Sequence, residues 1–171
     1  MNRNLLIVGA GTYAMVASEI ATDMGCFEKI DFVDDSRKTT PGGYEVVGTT
    51  QQLNMLSSLY SNIVVAIGNP AVRLSLLDKI KKELSYNIVA LISPRAYVSP
   101  FARIMGGCII EPMAVVHTSC IIEEGCIISA GAVVNHASVC CEGVHVDCNA
   151  TVVGYAKVPP RMKIESGSVF K

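Results

Sequence analysis

From Ile92 to Ile164 every sixth residue is a β-branched aliphatic, with Cys140 the one exception among thirteen positions. The series runs Ile92, Val98, Ile104, Ile110, Val116, Ile122, Ile128, Val134, Cys140, Val146, Val152, Val158 and Ile164. Four residues after each comes a second inward position, and eleven of those thirteen are Ala, Cys or Ser. Neither the 3.6-residue helical period nor strict alternation accounts for this rhythm. One bulky and one small buried site per hexad, with nothing inserted or lost, predicts short strands wound into a parallel β-helix. If three hexads make one coil, residues 18 apart stack at about the 4.8 Å strand spacing. The small sites then form three columns: Ala96, Ala114, Ala132, Ala150 and Ser168; Ala102, Cys120, Ser138 and Ala156; Cys108, Cys126, Val144 and Met162. Like side chains in a column fill like cross-sections, and the third column widens toward its end.

Residues 1–91 follow another pattern. Leu5–Val8 reads as an apolar strand, followed by Gly9-Ala10-Gly11 and a helix over Met15–Met24 with Val16, Ile20 and Met24 on one stripe. Ile30–Val33 is a second strand ending in Asp34-Asp35. Pro41-Gly42-Gly43 marks a loop, and Thr50–Leu59 reads as a helix capped near Thr49 or Thr50. Ile63–Ile67 is a third strand, Ala71–Leu84 a helix with Leu74, Leu77 and Ile80 inward, and Ile88–Ile92 leads into the solenoid. Strands alternating with helices predict a parallel, Rossmann-like sheet of about four strands. The expected organisation is an α/β domain over 1–91 and a β-helix over 92–171.

Composition narrows the function classes. The chain is half hydrophobic and only 17% charged, with a net charge of −1, so neither a basic nucleic-acid face nor an acidic tail is expected. Asn2-Arg3-Asn4 runs straight into the first strand, too short for a signal core or membrane span, and the expected compartment is the cytoplasm. Seven cysteines is an odd count, and Cys108, Cys120, Cys126 and Cys140 sit at inward positions of the repeat as small hydrophobes. Metal binding is the sharper reading of these thiols. No C-x-x-C pair supports it, and no metal is expected.

Gly9, Gly11 and Ala14 match the spacing of G-x-G-x-x-G/A. The first permits a tight turn, the second lets a phosphate approach bare backbone, and the small third lets helix pack on strand. Asp34 and Asp35 end the second strand, where a carboxylate can accept from ribose hydroxyls. The alternative is a turn that merely joins strand to helix. In the solenoid, His136 beside Asn135 interrupts the apolar pattern at an outward position and suits a general base near neutral pH. Gly154, 18 residues on, stacks beside it in the coil scheme, where its N–H can meet a developing oxyanion. His145 is half a coil away and can reach His136 only across a subunit interface. His117 reads as a solvated side chain.

The whole chain resembles the bacterial sugar O- and N-acyltransferases typified by sialic acid O-acetyltransferases and UDP-4-amino-sugar N-acetyltransferases. The resemblance is carried by Gly9-Ala-Gly11-Thr-Tyr13-Ala, Phe32-Val-Asp34-Asp35, Ala66-Ile-Gly68-Asn69 with Arg73, Leu91-Ile-Ser-Pro94 and Val134-Asn135-His136. It implies a left-handed β-helix, a homotrimer, and acetyl-CoA as acyl donor in the groove between neighbouring helices. It further implies a nucleotide-sugar held by the first domain, with Gly9, Gly11, Thr12, Tyr13, Asp34, Asp35 and Asn69 as its contacts. His136 takes the place of the family's base, and His145 and Gly154 the places of residues that meet the acetyl group. Two departures stand out: Ala137 replaces the acid that follows the base, and Ser129 stands where relatives commonly carry Asn. The chain also ends 35 residues after His136, where relatives continue, leaving Lys157, Arg161 and Lys163 to meet CoA phosphates or to be merely solvated. The expected activity is acetyl transfer to an amino or hydroxyl group of a nucleotide-activated sugar. A catalytically impaired trimeric sugar-nucleotide-binding protein is the alternative, and a dehydrogenase is favoured by the glycine loop alone.

Overall fold

The computed structural model describes residues 2–171. The chain forms two compact units, one ending at Val89 and one spanning Ala90–Lys171. Among the described residues no helix is long and apolar enough to cross a membrane.

The first unit is a five-stranded parallel sheet in the order β3-β2-β1-β4-β5. Its strands are β1 (Asn4–Val8), β2 (Lys29–Val33), β3 (Val46–Gly48), β4 (Asn62–Val65) and β5 (Asn87–Ile88). The chain reverses its winding between β1 and β4, the place where open α/β sheets form their ligand crevice. The edge strand β3 is absent from the sequence reading. It is three residues long and is held by pairing with β2, with a register shift at Phe32/Val33.

Helix α1 (Thr12–Met24) buries Ala14, Ala17, Ile20 and Ala21, whereas Val16 and Met24 are only half-buried. The expected Val16–Ile20–Met24 stripe is therefore corrected: small residues face the sheet because the helix packs close to it. The expected Thr50–Leu59 helix is a 3-10 turn, Thr50–Gln52, followed by α2 (Leu53–Leu56). The capping box between Thr49 and Gln52 starts it, and the Ser57 and Ser58 hydroxyls donate back to the carbonyls of Asn54 and Met55 where it stops. Helix α3 (Pro70–Glu83) is capped by Asn69 and buries Arg73, Leu77 and Ile80, with Leu74 half-buried.

The second unit is a parallel β-helix of two-residue strands on three faces. One face stacks Leu91–Ile92, Ile109–Ile110, Ile127–Ile128, His145–Val146 and Lys163–Ile164. The second stacks Tyr97–Val98, Val115–Val116, Val133–Val134, Thr151–Val152 and Val169–Phe170. The third stacks Arg103–Ile104, Ile121–Ile122, Val139–Cys140 and Lys157–Val158. Paired residues are 18 apart throughout, as in Val134↔Val152 and Ile122↔Cys140, so three hexads do make one coil. The bulky series fills the core together with Cys108, Ala114, Cys120, Cys126, Ala132 and Ala150. Each fully buried Ile or Val there contributes about 1.5–3 kcal/mol relative to exposure. Met162, expected inward, is instead 37% exposed.

From Gly107 to Gly167 the corners of the coil turn at left-handed residues that recur every sixth position, three to a coil. Gly fills five of them, while Met113, Ser119, Ala137, Asn149, Tyr155 and Arg161 adopt the same positive φ without that freedom. The inward thiols are more than small hydrophobes. Cys108, Cys120 and Cys126 each donate to a carbonyl fifteen residues on, at 3.0 Å, and the Ser138 hydroxyl does likewise at 2.8 Å. All seven cysteines are free thiols.

Candidate active site

In the first unit, the C-terminal ends of β1, β2 and β4 border a cavity of about 560 Å³. Gly9, Asp34, Asp35, Thr50 and Ile67 line one part, and Ala71, Val72, Ser75 and Leu76 of α3 line another. Gly9 has φ +111°, and a Cβ there would stand 3.0 Å from the carbonyl oxygen of Ala66, so both backbone and space require glycine. Gly11 is different. Its φ is −85° and a Cβ would meet nothing within 4 Å, so the fold leaves that backbone clear. No side chain caps α1, and its N-terminus carries the partial positive charge suited to an anion. Thr12 is exposed and Tyr13 half-buried in its first turn.

The two carboxylates are engaged within the protein. Asp34 Oδ1 accepts from the N–H and hydroxyl of Ser36 and the N–H of Arg37, and Oδ2 from the N–H of Ala10, each at 2.9 Å. Burial opposes its charge, but these donors prevail and hold its carboxyl below the usual range. Asp34 thus braces the glycine loop as well as lining the cavity. Asp35 holds the N–H and hydroxyl of Thr50. Asn69 uses its side-chain oxygen to cap α3 at Ala71 and Val72. Arg73 is fully buried and donates to the carbonyls of Ile67 and Gly68, fixing the loop beside the cavity. The α3 lining was missed from sequence, although Val72 and Leu76, four apart, form a second apolar stripe beside the core one.

In the solenoid, His136 is exposed and stands one coil below Gly154. A Cβ on Gly154 would lie 2.9 Å from both Cε1 and Nε2 of the imidazole. Gly154 is not among the residues of positive φ, so space rather than conformation demands glycine there. The Tyr155 ring meets the imidazole edge-on, with centroids 5.1 Å apart. The ring Nδ1 lies 3.0 Å from Asn135 Oδ1, so the ring is not without a partner despite Ala137.

His145 lies half-buried on a different face, beside a polar row of which Glu111 and Ser129 are buried. Its Nε2 is 3.0 Å from Ser129 Oγ, which in turn donates to Glu111. Glu111, Ser129, Asp147 and Glu165 are spaced 18 apart, a column that the coil period could have revealed. Lys163 is bound to Asp147 and Glu165 at 3.0 and 2.9 Å, so it is no spare cation for a phosphate. Burial opposes the charge of Asp147, but Lys163, the Cys148 N–H and His145 outweigh it and hold the carboxyl at about 2. A carboxyl depressed in the folded state adds stability above its unfolded pKa and loses it as pH falls toward the folded value. Wild-type thermal midpoints should therefore fall more steeply than those of Asp147→Asn between about pH 4 and pH 2. Parallel curves would contradict this.

Five of the solenoid's thiols are held away from the thiolate form that a nucleophile needs. Burial pushes Cys120, Cys140, Cys141 and Cys148 up, and the neighbouring Cys108 together with burial raises Cys126. Among the described residues, no group of three or more His, Cys, Asp or Glu is placed to hold a metal.

Residues 4–80 match the PglD N-terminal domain family. No curated protein matches by sequence. The acetyltransferase domain of PglB from Neisseria gonorrhoeae, solved with acetyl coenzyme A, is 32% identical with a TM-score of 0.93, covering 99% of this chain and 82% of that one. A histidine-to-asparagine variant of perosamine N-acetyltransferase from Caulobacter crescentus, solved with CoA and GDP-perosamine, is 26% identical with a TM-score of 0.77, covering 98% and 88%. PerB from the same organism, at 24% identity, a TM-score of 0.81 and the same coverage, shares the fold. The arrangement is thus an α/β Rossmann-like unit followed by a left-handed β-helix, and the chain belongs to the bacterial hexapeptide-repeat sugar acyltransferase family.

Proposed function

We propose that this protein transfers an acetyl group from acetyl-CoA to an amino or hydroxyl group of a nucleotide-activated sugar, with His136 as general base. The observation that carries the reading is the imidazole edge laid over Gly154, where the absence of a Cβ leaves room beside Nε2. Nε2 takes the proton of the attacking N–H or O–H as that atom bonds to the thioester carbonyl carbon. The Gly154 N–H meets the oxyanion, with His145 of a neighbouring protomer beside the acetyl group. The carbonyl reforms, the C–S bond breaks, and the CoA thiolate takes the proton from Nε2. No acyl-enzyme forms, in keeping with the raised cysteine pKa values.

The nucleotide part occupies the cavity of the first unit. Gly9, Gly11, Thr12 and Tyr13 bring α1 to its phosphates, Asp34 and Asp35 border it, and Asn69 caps the helix α3 that lines its other side. The ligands of the relatives, acetyl coenzyme A in one and CoA with GDP-perosamine in the other, favour this substrate pair. The protein works as a cytoplasmic homotrimer. One solenoid face presents an outward row of Tyr97, Val115, Val133, Thr151 and Val169, with Tyr97 and Val169 more than half exposed, and a second copy can cover it.

Acetyl-CoA with a panel of UDP-, GDP- and dTDP-amino sugars should release CoA and yield an acetylated product by mass spectrometry. Sugar-nucleotide binding without release across the panel would favour the binding-protein alternative, and binding of NAD(H) would favour the dehydrogenase. Sedimentation should give three times the 18.2 kDa protomer, and a stable monomer at micromolar concentration would overturn the trimer.

A further inference from the structure

The Asn135 carboxamide oxygen lies 3.0 Å from two atoms of His136, the backbone N and the ring Nδ1. A backbone N–H can only donate, so the atom it meets is the oxygen and not the NH₂ of the carboxamide. That oxygen can only accept. Nδ1 must therefore carry the ring proton in the neutral imidazole, which leaves the lone pair on Nε2.

The backbone that carries this oxygen is itself fixed. The Asn135 N–H donates to the Val152 carbonyl of the next coil at 3.0 Å, and its own carbonyl accepts from the Cys120 thiol at 3.0 Å. Burial raises the Cys120 pKa and so keeps that donor protonated. Nδ1 has one proton and already has an acceptor for it. An acid at position 137 would compete for that proton rather than fill a vacancy.

We propose that Asn135 is the positioning residue of this site, its carboxamide oxygen replacing the family's carboxylate and holding His136 in the tautomer whose Nε2 is free to take a proton. This rests on the assignment of His136 as base. An amide dipole orients the ring as a carboxylate does but stabilises the imidazolium less.

The test has a spectroscopic and a kinetic arm. Long-range ¹⁵N–¹H spectra of the full chain, with His136 assigned by its loss in His136→Gln, should show the Nδ1–H tautomer above the pH of its titration. Asn135→Ala should shift that population toward Nε2–H and lower kcat at least about tenfold. Asn135→Asp should keep the Nδ1–H tautomer, restore kcat and move the lower limb of the pH–rate profile up by about one unit or more. A purely structural Asn would alter the thermal midpoint without moving tautomer or pH limb. An Nε2–H ring in the wild type, or a tautomer unchanged in Asn135→Ala, would overturn the proposal. If no sugar is acetylated by the wild type, the function reading fails, and the spectra still decide the role of Asn135.

Discussion

Replacing His136 with Ala is expected to lower acetyl transfer by about 10²–10⁴-fold, the usual contribution of a general base. Affinity for the nucleotide-sugar should be unchanged, because the cavity proposed to hold its nucleotide is lined by the first unit alone. Stability should change little. The imidazole is exposed, and the hydrogen bonds that build the coil at this point run through backbone atoms, from the Asn135 N–H to Val152 and from the Tyr155 N–H to His136. The measurement is kcat under saturating acetyl-CoA and sugar, with sugar-nucleotide binding and thermal midpoint as companions. A kcat within about threefold of wild type would remove His136 from the chemistry. Loss of binding together with activity would instead point to a role outside proton transfer.

The solenoid was legible because one repeated constraint wrote it. Each coil must fill the same cross-section, so the bulky and small columns can be read from spacing, and register at 18 follows. The turns were half legible. Gly107, Gly125, Gly131, Gly143 and Gly167 mark the left-handed column, but Met113, Tyr155 and Arg161 take the same conformation with no compositional sign. In the first unit, patterning found β1, β2, β4 and α3. It missed β3, whose three residues are strand only through pairing with β2, and misjudged the face of α1, since buried alanines leave no apolar stripe.

The site was legible as residue types and less so as contacts. His136 and Gly154 do meet, as the coil period required. What spacing could not show is that a side chain folds back over its own chain, bringing Asn135 Oδ1 to the next residue's Nδ1. Position 137, directly after the base, carries only Ala. Likewise Asp34 and Asp35 read as ribose acceptors, yet each also holds the protein's own donors, because strand ends must satisfy the loops that follow them. His145 read as facing an acyl group, while Ser129 holds its Nε2.

Gly154→Ala should lower kcat by about 10²-fold, the size of effect a misplacement of roughly 1 Å can have on an oriented catalytic group. The new Cβ would fall 2.9 Å from Cε1 and Nε2 of His136, too close for any real contact, and the imidazole is the mobile partner. It would swing away from its place over the coil and strain its bond to Asn135. The backbone offers no competing explanation, because Gly154 lies outside the left-handed column and Ala fits its φ. The thermal midpoint should therefore stay near that of wild type while activity falls. A double-mutant cycle sharpens the test. If the methyl acts only through the ring, the Gly154→Ala, His136→Ala double variant should be no slower than His136→Ala alone. Additive losses would mean that Gly154 acts on the acetyl group independently of the base. A kcat within about twofold of wild type in Gly154→Ala would show that the edge over this glycine is not where the proton is taken.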